Sequence, residues 1–243
     1  MIVTFTDFGV TGPYLGQVRL ALAREAPDVP VVDLLADAPA FNPRASAYLL
    51  AVLAAGLPQG TVCLAVVDPG VGTQERRPVI VETDGRYFVG PDNGLFHVLA
   101  KRASQRERWE ILWHPPRLSV TFHGRDLFAP VAARLARGEW PEARRLGWAG
   151  EDFDGWPDEL TEVIYLDPYG NVMTGLRAAS LAANARLSLC GRSFERARTF
   201  GDVPPGHALW YENSLGLAEV AVNRGSAAQL LGLAVGTPVT VRE

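Results

Sequence analysis

The sequence predicts an α/β protein with an N-terminal domain at residues 1–150, built on a largely parallel sheet, and a smaller C-terminal β-barrel-like domain at residues 158–243. Three observations predict it. From Met1 to about Trp148, short apolar segments alternate with amphipathic ones of helical period, the pattern that lays helices across a parallel sheet. The stretch "GWAGEDFDGWPDE" is dense in Gly, Pro and acid and reads as a boundary loop. Beyond it come short alternating segments parted by turns, as in small all-β domains.

Taken in order, "MIVTFT" is the first strand and "YLGQVRLALARE" an amphipathic helix whose Leu15, Val18 and Leu22 share one face. "VPVVDLL" is a second strand, and "PRASAYLLAVLAAG" a second helix that opens on proline, which a first helical turn tolerates. "TVCLAVV", "PVIVET" and "RYFVG" are further strands, rich in β-branched and aromatic residues. "LAKRASQRER" reads as a solvated helix end, and "DLFAPVAARLARGE" as the last helix of the domain, with Asp126 placed to cap it near Leu127. In the second domain "EVIYLD", "ARLSLCG", "HALWYEN", "LAEVAVN" and "PVTVRE" are the strands.

Composition removes several classes of function. The chain of 243 residues is 48% hydrophobic with a formal charge of -4, enough to bury a sizeable core. No apolar run approaches the roughly 20 residues that span a bilayer, and "MIVTFTDFG" lacks signal-peptide flanks, so no membrane is expected and the location reads as cytoplasmic. The scattered arginines form no basic stripe, so no nucleic acid is expected as partner. Cys63 and Cys190 are too few for a disulfide framework or a zinc site, and Cys63 reads as a small buried thiol. His97, His114, His123 and His207 never fall at metal-ligand spacing, so no metal is expected. Lys101, the single lysine, suits neither a phosphate-binding loop nor a Schiff base. The absence of G-x-S-x-G weakens an acyl-hydrolase reading.

The strand ends carry the polar residues. Asp7 follows the first strand, Asp68 follows "LAVV", and Asp92 and Asn93 follow "YFVGP". Open α/β sheets bind ligands at the carboxyl ends of their strands. "VTFHGRDLFAP" then delivers His123 and Arg125. Each has a plainer reading beside it: Asp126 as a cap, Asp92-Asn93-Gly94 as a turn, and His123 as a satisfied structural histidine.

Six stretches, "FTDFG", "VVDPGVGT…RR", "GPDNGLF", "TFHGRDLFAPVAA", "DPYGNVMT" and "ENSLGLAEVAVNRGSAA", stand in that order over nearly the whole chain. Together they resemble the adenosine-forming S-adenosyl-L-methionine hydrolases, or SAM hydroxide adenosyltransferases, relatives of the fluorinase and chlorinase enzymes. The resemblance implies an α/β domain followed by a β-barrel-like one, and a homotrimer with its sites between subunits. S-adenosyl-L-methionine (SAM) is then the substrate and no cofactor is needed. It implies a catalytic set of Asp68, Arg76 and His123, with Arg77 as the substitute because "GTQERR" carries an extra residue between aspartate and arginine. It implies Asp7 on the ribose hydroxyls, Tyr169 stacked on adenine, Asn171 at the adenine edge, Asp167 near the methionine ammonium and Ser214 at the methionine carboxylate. Two positions depart from the pattern: Gly12 stands where a second aspartate is frequent, and Leu215 where the fluorinase has arginine.

The implied reaction suits these residues. The sulfonium already activates ribose C5′ and methionine leaves as a neutral thioether, so what is lacking is a nucleophile. Water has a pKa near 15.7 unaided, and an arginine stabilises hydroxide while a carboxylate and an imidazole orient it or help remove its proton. Two other readings compete. A halogenase would depart from the Asp68 pattern, because a carboxylate repels a desolvated halide. A nucleoside-binding or sensing module would tolerate loss of Asp68 and His123, and both are present.

Overall fold

The computed structural model describes residues 1–73 and 76–242 and divides into two compact units, Met1–Trp156 and Pro157–Glu243. In the first unit the order is β1 (Ile2–Thr6), α1 (Tyr14–Glu25), β2 (Val31–Leu35), α2 (Pro43–Ala54), β3 (Val62–Val66), β4 (Pro78–Thr83), β5 (Arg86–Pro91), α3 (His97–Arg102), β6 (Arg106–Ile111), α4 (Ala129–Ala136) and β7 (Ala143–Arg145). These strands form one seven-stranded sheet in the order β2-β1-β3-β5-β4-β6-β7. The first four of that row are parallel, and β4, β6 and β7 extend it antiparallel.

β1 and β3 are buried at all five positions, as strands covered on both faces must be. Ile2, Val62, Leu64, Val66, Ile80 and Val89 share a cluster with Val18 and Leu22 of α1 and Val131 and Leu135 of α4. Each such side chain contributes roughly 1.5–3 kcal/mol on burial. Cys63 is fully buried in β3, which pushes its thiol pKa up, so it is the inert core thiol its sequence setting suggests.

Two local details differ from the sequence expectation. The segment read as a solvated helix end, residues 99–108, does carry the end of the short helix α3, but from Arg106 it continues as the start of β6, whose "RERWEI" pairs between β4 and β7 and shows no unbroken apolar run. Asp126 is not a helix cap. The last helix opens earlier with a π turn at Gly124–Phe128, and the Asp126 carboxylate instead accepts from the Ser119 backbone N–H at 2.9 Å and pairs with Arg125.

In the second unit, β8 (Leu160–Leu166), β9 (Val172–Arg177), β10 (Arg186–Leu189), β11 (Arg192–Phe194), β12 (Ala208–Glu212), β13 (Leu217–Val222), α5 (Ala227–Leu231) and β14 (Thr240–Arg242) follow in turn. They make a four-stranded antiparallel sheet, β12-β13-β9-β8, and a three-stranded one, β11-β10-β14. The barrel-like expectation resolves into open sheets. Single bridges, Glu162 with Pro238 and Arg196 with Trp210, join their margins without a continuous ladder. Trp210 is fully buried between them, and its Nε1 donates to the Ala185 carbonyl at 2.9 Å.

Candidate active site

The strand order sets the place. β1 leads to β2 on one side, and the chain then returns to lay β3 on the other side of β1. The carboxyl ends of β1 and β3 therefore flank a topological switch point, where open α/β sheets leave a crevice. Asp7 follows β1 and Asp68 follows β3, so the parallel register brings both carboxylates to one edge. A small cavity of about 60 Å³ opens there, lined by Asp7, Phe8, Asp68, Phe122 and His123 among others. It takes a few water molecules but not a nucleoside.

Arg76 reaches Asp68 through Nε, 2.9 Å from each carboxylate oxygen, and through Nη2 to Oδ2. The two side chains are only 7% and 5% exposed. The planar fork and buried setting make this a fixed pair. The Gly70 N–H also donates to Asp68 Oδ1, at 3.2 Å. Arg77 is exposed. The geometry thus gathers Asp68, Arg76 and His123, whereas the extra residue falls in the run containing Gln74 and Glu75, which lie outside the described residues.

His123 Nδ1 lies 3.4 Å from Arg76 Nη2. Arginine has no lone pair to give, so the ring nitrogen facing it is the unprotonated one and the proton of the neutral ring sits on Nε2. Burial, and then the Arg76 charge, lower the His123 pKa from its ordinary value. His123 stands at the mouth of the π turn, a distortion that often re-aims side chains at sites. Phe122 beside it is met edge-on by Phe8 at 5.7 Å and by Tyr14 at 5.5 Å. Asp7 accepts from the Phe41 N–H at 3.2 Å, and Phe41 holds a left-handed φ of 57° to make that bond. Burial raises the Asp7 pKa, with the Asp68 charge a smaller cause in the same direction.

The second unit holds the other residues around a cavity of about 820 Å³, within the range of small-molecule sites. Asp167, Tyr169, Asn171 and Ser214 all line it. Asp167 builds the turn that carries its neighbours: Oδ1 accepts from the N–H groups of Tyr169 (2.9 Å) and Asn171 (2.8 Å), and Oδ2 from Asn171 Nδ2 (2.9 Å). The turn leaves Tyr169 80% exposed at the cavity wall. The bond from its nitrogen to Asp167 fixes the Asn171 amide at the cavity wall.

Sequence reasoning missed Tyr211, Asn213 and Glu219, which also line this cavity. Glu219 is 2% exposed and accepts from the Tyr211 hydroxyl at one oxygen and from Asn213 Nδ2 (2.8 Å) at the other. Burial raises its pKa, and burial together with Glu219 raises that of Tyr211. The available signal was a lone acid in "LAEVAV", a strand buried at all six positions. Asn213 Oδ1 accepts from the N–H groups of Leu215 and Leu217 and so shapes the turn that presents Ser214. Among the described residues no group of three or more His, Cys, Asp or Glu side chains is placed to hold a metal ion, and no helix is long and apolar enough to cross a membrane.

Comparison with known proteins bears on both units. A family model described as the SAM hydroxide adenosyltransferase N-terminal domain matches residues 2–145, and one for the C-terminal domain of the same family matches residues 161–240. An (R)-S-adenosyl-L-methionine hydrolase of Thermus thermophilus is 42% identical over 252 residues, covering 96% of each chain. One of Salinispora arenicola is 38% identical, covering 97% of this chain and 95% of the relative. Among solved structures, an uncharacterized conserved protein from Thermotoga maritima superposes with a TM-score of 0.83 at 31% identity, covering 100% of both chains. A conserved hypothetical protein from Thermus thermophilus gives 0.77 at 38% identity over 99% of both. With both of its units matched, the chain belongs to the SAM hydroxide adenosyltransferase family.

Proposed function

We propose that the protein hydrolyses S-adenosyl-L-methionine to adenosine and L-methionine, with water or hydroxide attacking ribose C5′. The observation that carries this reading is the buried Asp68–Arg76 pair with His123 against it, at the switch point and beside Asp7. The new bond joins the water oxygen to C5′, the C5′–S bond breaks, and its electron pair neutralises the sulfonium. The water's proton is the remaining product. Arg76 stabilises the developing hydroxide, Asp68 accepts a water hydrogen, and His123 orients the oxygen through Nε2–H. Aligned acid–base help of this kind contributes about 10²–10⁴-fold. No metal or cofactor has a role, because the leaving group carries its own activation.

Asp7 grips the ribose hydroxyls, Tyr169 stacks on adenine and Asn171 meets its edge. Asp167 faces the methionine ammonium and Ser214 the carboxylate. Gly12 and Leu215 remove two charged groups from the methionine end, so the nucleoside is held by more contacts than the amino acid. We place the reaction in the cytoplasm, in keeping with two free thiols. The names of the relatives specify the R form, and separated epimers offered side by side measure which this chain prefers. Turnover in ¹⁸O-water should label the adenosine 5′-hydroxyl; unlabelled adenosine, or 5′-chloroadenosine formed in chloride, sinks the hydrolase reading.

The pH dependence follows from His123. Its pKa lies below the ordinary value, so the ring is neutral at pH 7. Protonation would set a second cation against Arg76, hence kcat/KM should hold steady down to about pH 6.5, the unperturbed histidine value, and fall only below it. A limb centred above that point, or one that persists in His123→Gln, contradicts the assignment.

The reading also takes the assembly to be a homotrimer in which the first unit of one subunit and the second unit of its neighbour serve one substrate. Mixing inactive His123→Ala with inactive Tyr169→Ala/Asn171→Ala under exchange conditions should restore activity that neither parent has. Exchange seen by mass spectrometry with no recovery would mean each site is completed within one chain.

A further inference from the structure

The turn after β5 touches both arms of the proposed catalytic pair. Asn93 Nδ2 donates to the Val67 carbonyl at 2.8 Å, one residue before Asp68. The backbone N–H of Asp92 donates to the Arg77 carbonyl at 2.9 Å, one residue after Arg76. The turn is itself fixed from three sides. The Leu95 N–H returns to Asn93 Oδ1 at 3.3 Å, which sets the orientation of the amide. The Asp92 carboxylate pairs with Arg108, which also bonds Asp152. The third constraint is Gly90, in β5: a methyl group there would lie 2.0 Å from the Ala65 carbonyl oxygen, so β5 presses on β3 as only glycine permits.

We propose that Asn93, together with the Asp92 backbone N–H, is a positioning clamp that sets the separation and aim of Asp68 and Arg76. It holds the peptide on each side of the pair and touches neither nucleophile nor substrate. The inference deepens the hydrolase reading and rests on it for its kinetic consequence, though the geometric consequence stands alone. The Val67 carbonyl is buried and Asn93 is its bridge to the turn across 26 residues of sequence. Without that bond the Asp68 arm is free to shift relative to the Arg76 arm. A misplacement of about 1 Å at reacting groups can cost on the order of 10²-fold in rate.

Asn93→Ala removes the bond without adding charge, and three measurements separate a clamp from general support. First, kcat should fall by about tenfold or more while the Kd for adenosine stays within about twofold, since nucleoside contacts are elsewhere. Second, Asn93→Ala added to Arg76→Ala should cost little more than Arg76→Ala alone, because both act on one pair; a merely structural loss would multiply. Third, His123 should titrate at a higher pH by NMR, read with no turnover at all. Arg76 lowers its pKa more than Asp68 raises it, so loosening the pair relieves the net effect. Should Asn93→Ala fold poorly, Asn93→Ser is read in the same three ways. Unchanged kcat with an unmoved His123 titration overturns the clamp, as does a loss that multiplies with Arg76→Ala. A wild-type protein that does not turn over SAM, yet whose His123 titration moves in Asn93→Ala, overturns the hydrolase reading and leaves the clamp standing.

Discussion

Arg76→Ala is expected to lower kcat for SAM hydrolysis by about 10²-fold or more, the range seen when a preorganised donor to a developing anion is removed. Arg77→Ala should stay within about twofold of the wild type on the same scale. Both residues carry the same charge one position apart, so the contrast rests on geometry alone. Arg76 is buried with its fork on Asp68 and its Nη2 against His123, whereas the Arg77 side chain is exposed. Removing Arg76 also leaves Asp68 buried without its partner, which can cost roughly 3–5 kcal/mol of stability. Melting curves must therefore accompany the kinetics, and Arg76→Lys gives a second measure. Lysine keeps the charge but cannot engage both carboxylate oxygens and the imidazole together, so a substantial loss is expected there as well. Full activity in Arg76→Ala with loss in Arg77→Ala would move the catalytic arginine by one position.

That contrast marks where sequence reasoning reaches and where it stops. The α/β class followed from apolar strands alternating with helical segments, because burial on two faces writes itself into a strand as an unbroken apolar run, as in β1 and β3. The carboxylates Asp7 and Asp68 stood out for the same reason: each ends such a run. The choice between Arg76 and Arg77 did not, because spacing along the chain fixes no side-chain direction. Strand β6 was hidden by its composition: charged residues fill most of "RERWEI", and only Trp109 and Ile111 turn to the core. The π turn left no mark either, and Asp126 was given the cap role that its position ahead of an apolar run suggested. Asn93 showed only its local character, a turn residue between Asp92 and Gly94; its bond to Val67 spans 26 residues and no periodicity reports it. Glu219 carries its signal in its setting, since an acid inside a fully buried strand needs partners, but the sequence does not say that these are Tyr211 and Asn213.

Gly170→Ala should be among the most damaging single-methyl changes in the second unit, lowering stability by about 2–4 kcal/mol. Gly170 lies between Tyr169 and Asn171 with a φ of 82°, a left-handed conformation that side chains resist. Conformation is the smaller part of the cost. A Cβ at Gly170 would stand 2.0 Å from Ser226 Oγ and 2.7 Å from Ser226 Cβ, well inside contact distance. Ser226 cannot step aside cheaply, because its side chain caps α5 by accepting from the Gln229 N–H at 3.2 Å. The Gly170 carbonyl in turn accepts from the Ala228 N–H at 2.9 Å, so turn and helix are bonded at the point where the methyl would enter. Relief must come from opening the turn that Asp167 organises, which moves the Tyr169 ring and the Asn171 amide together. Adenosine affinity, by calorimetry on the folded protein, should therefore fall by more than about tenfold, a loss of at least about 1.4 kcal/mol. Gly170→Asn separates the two causes. Asparagine accepts left-handed backbone far better than alanine does, so a cost set by φ would largely vanish. Its Cβ meets Ser226 all the same, and Gly170→Asn should be at least as destabilised as Gly170→Ala; near-wild-type melting of the asparagine variant would refute the steric account.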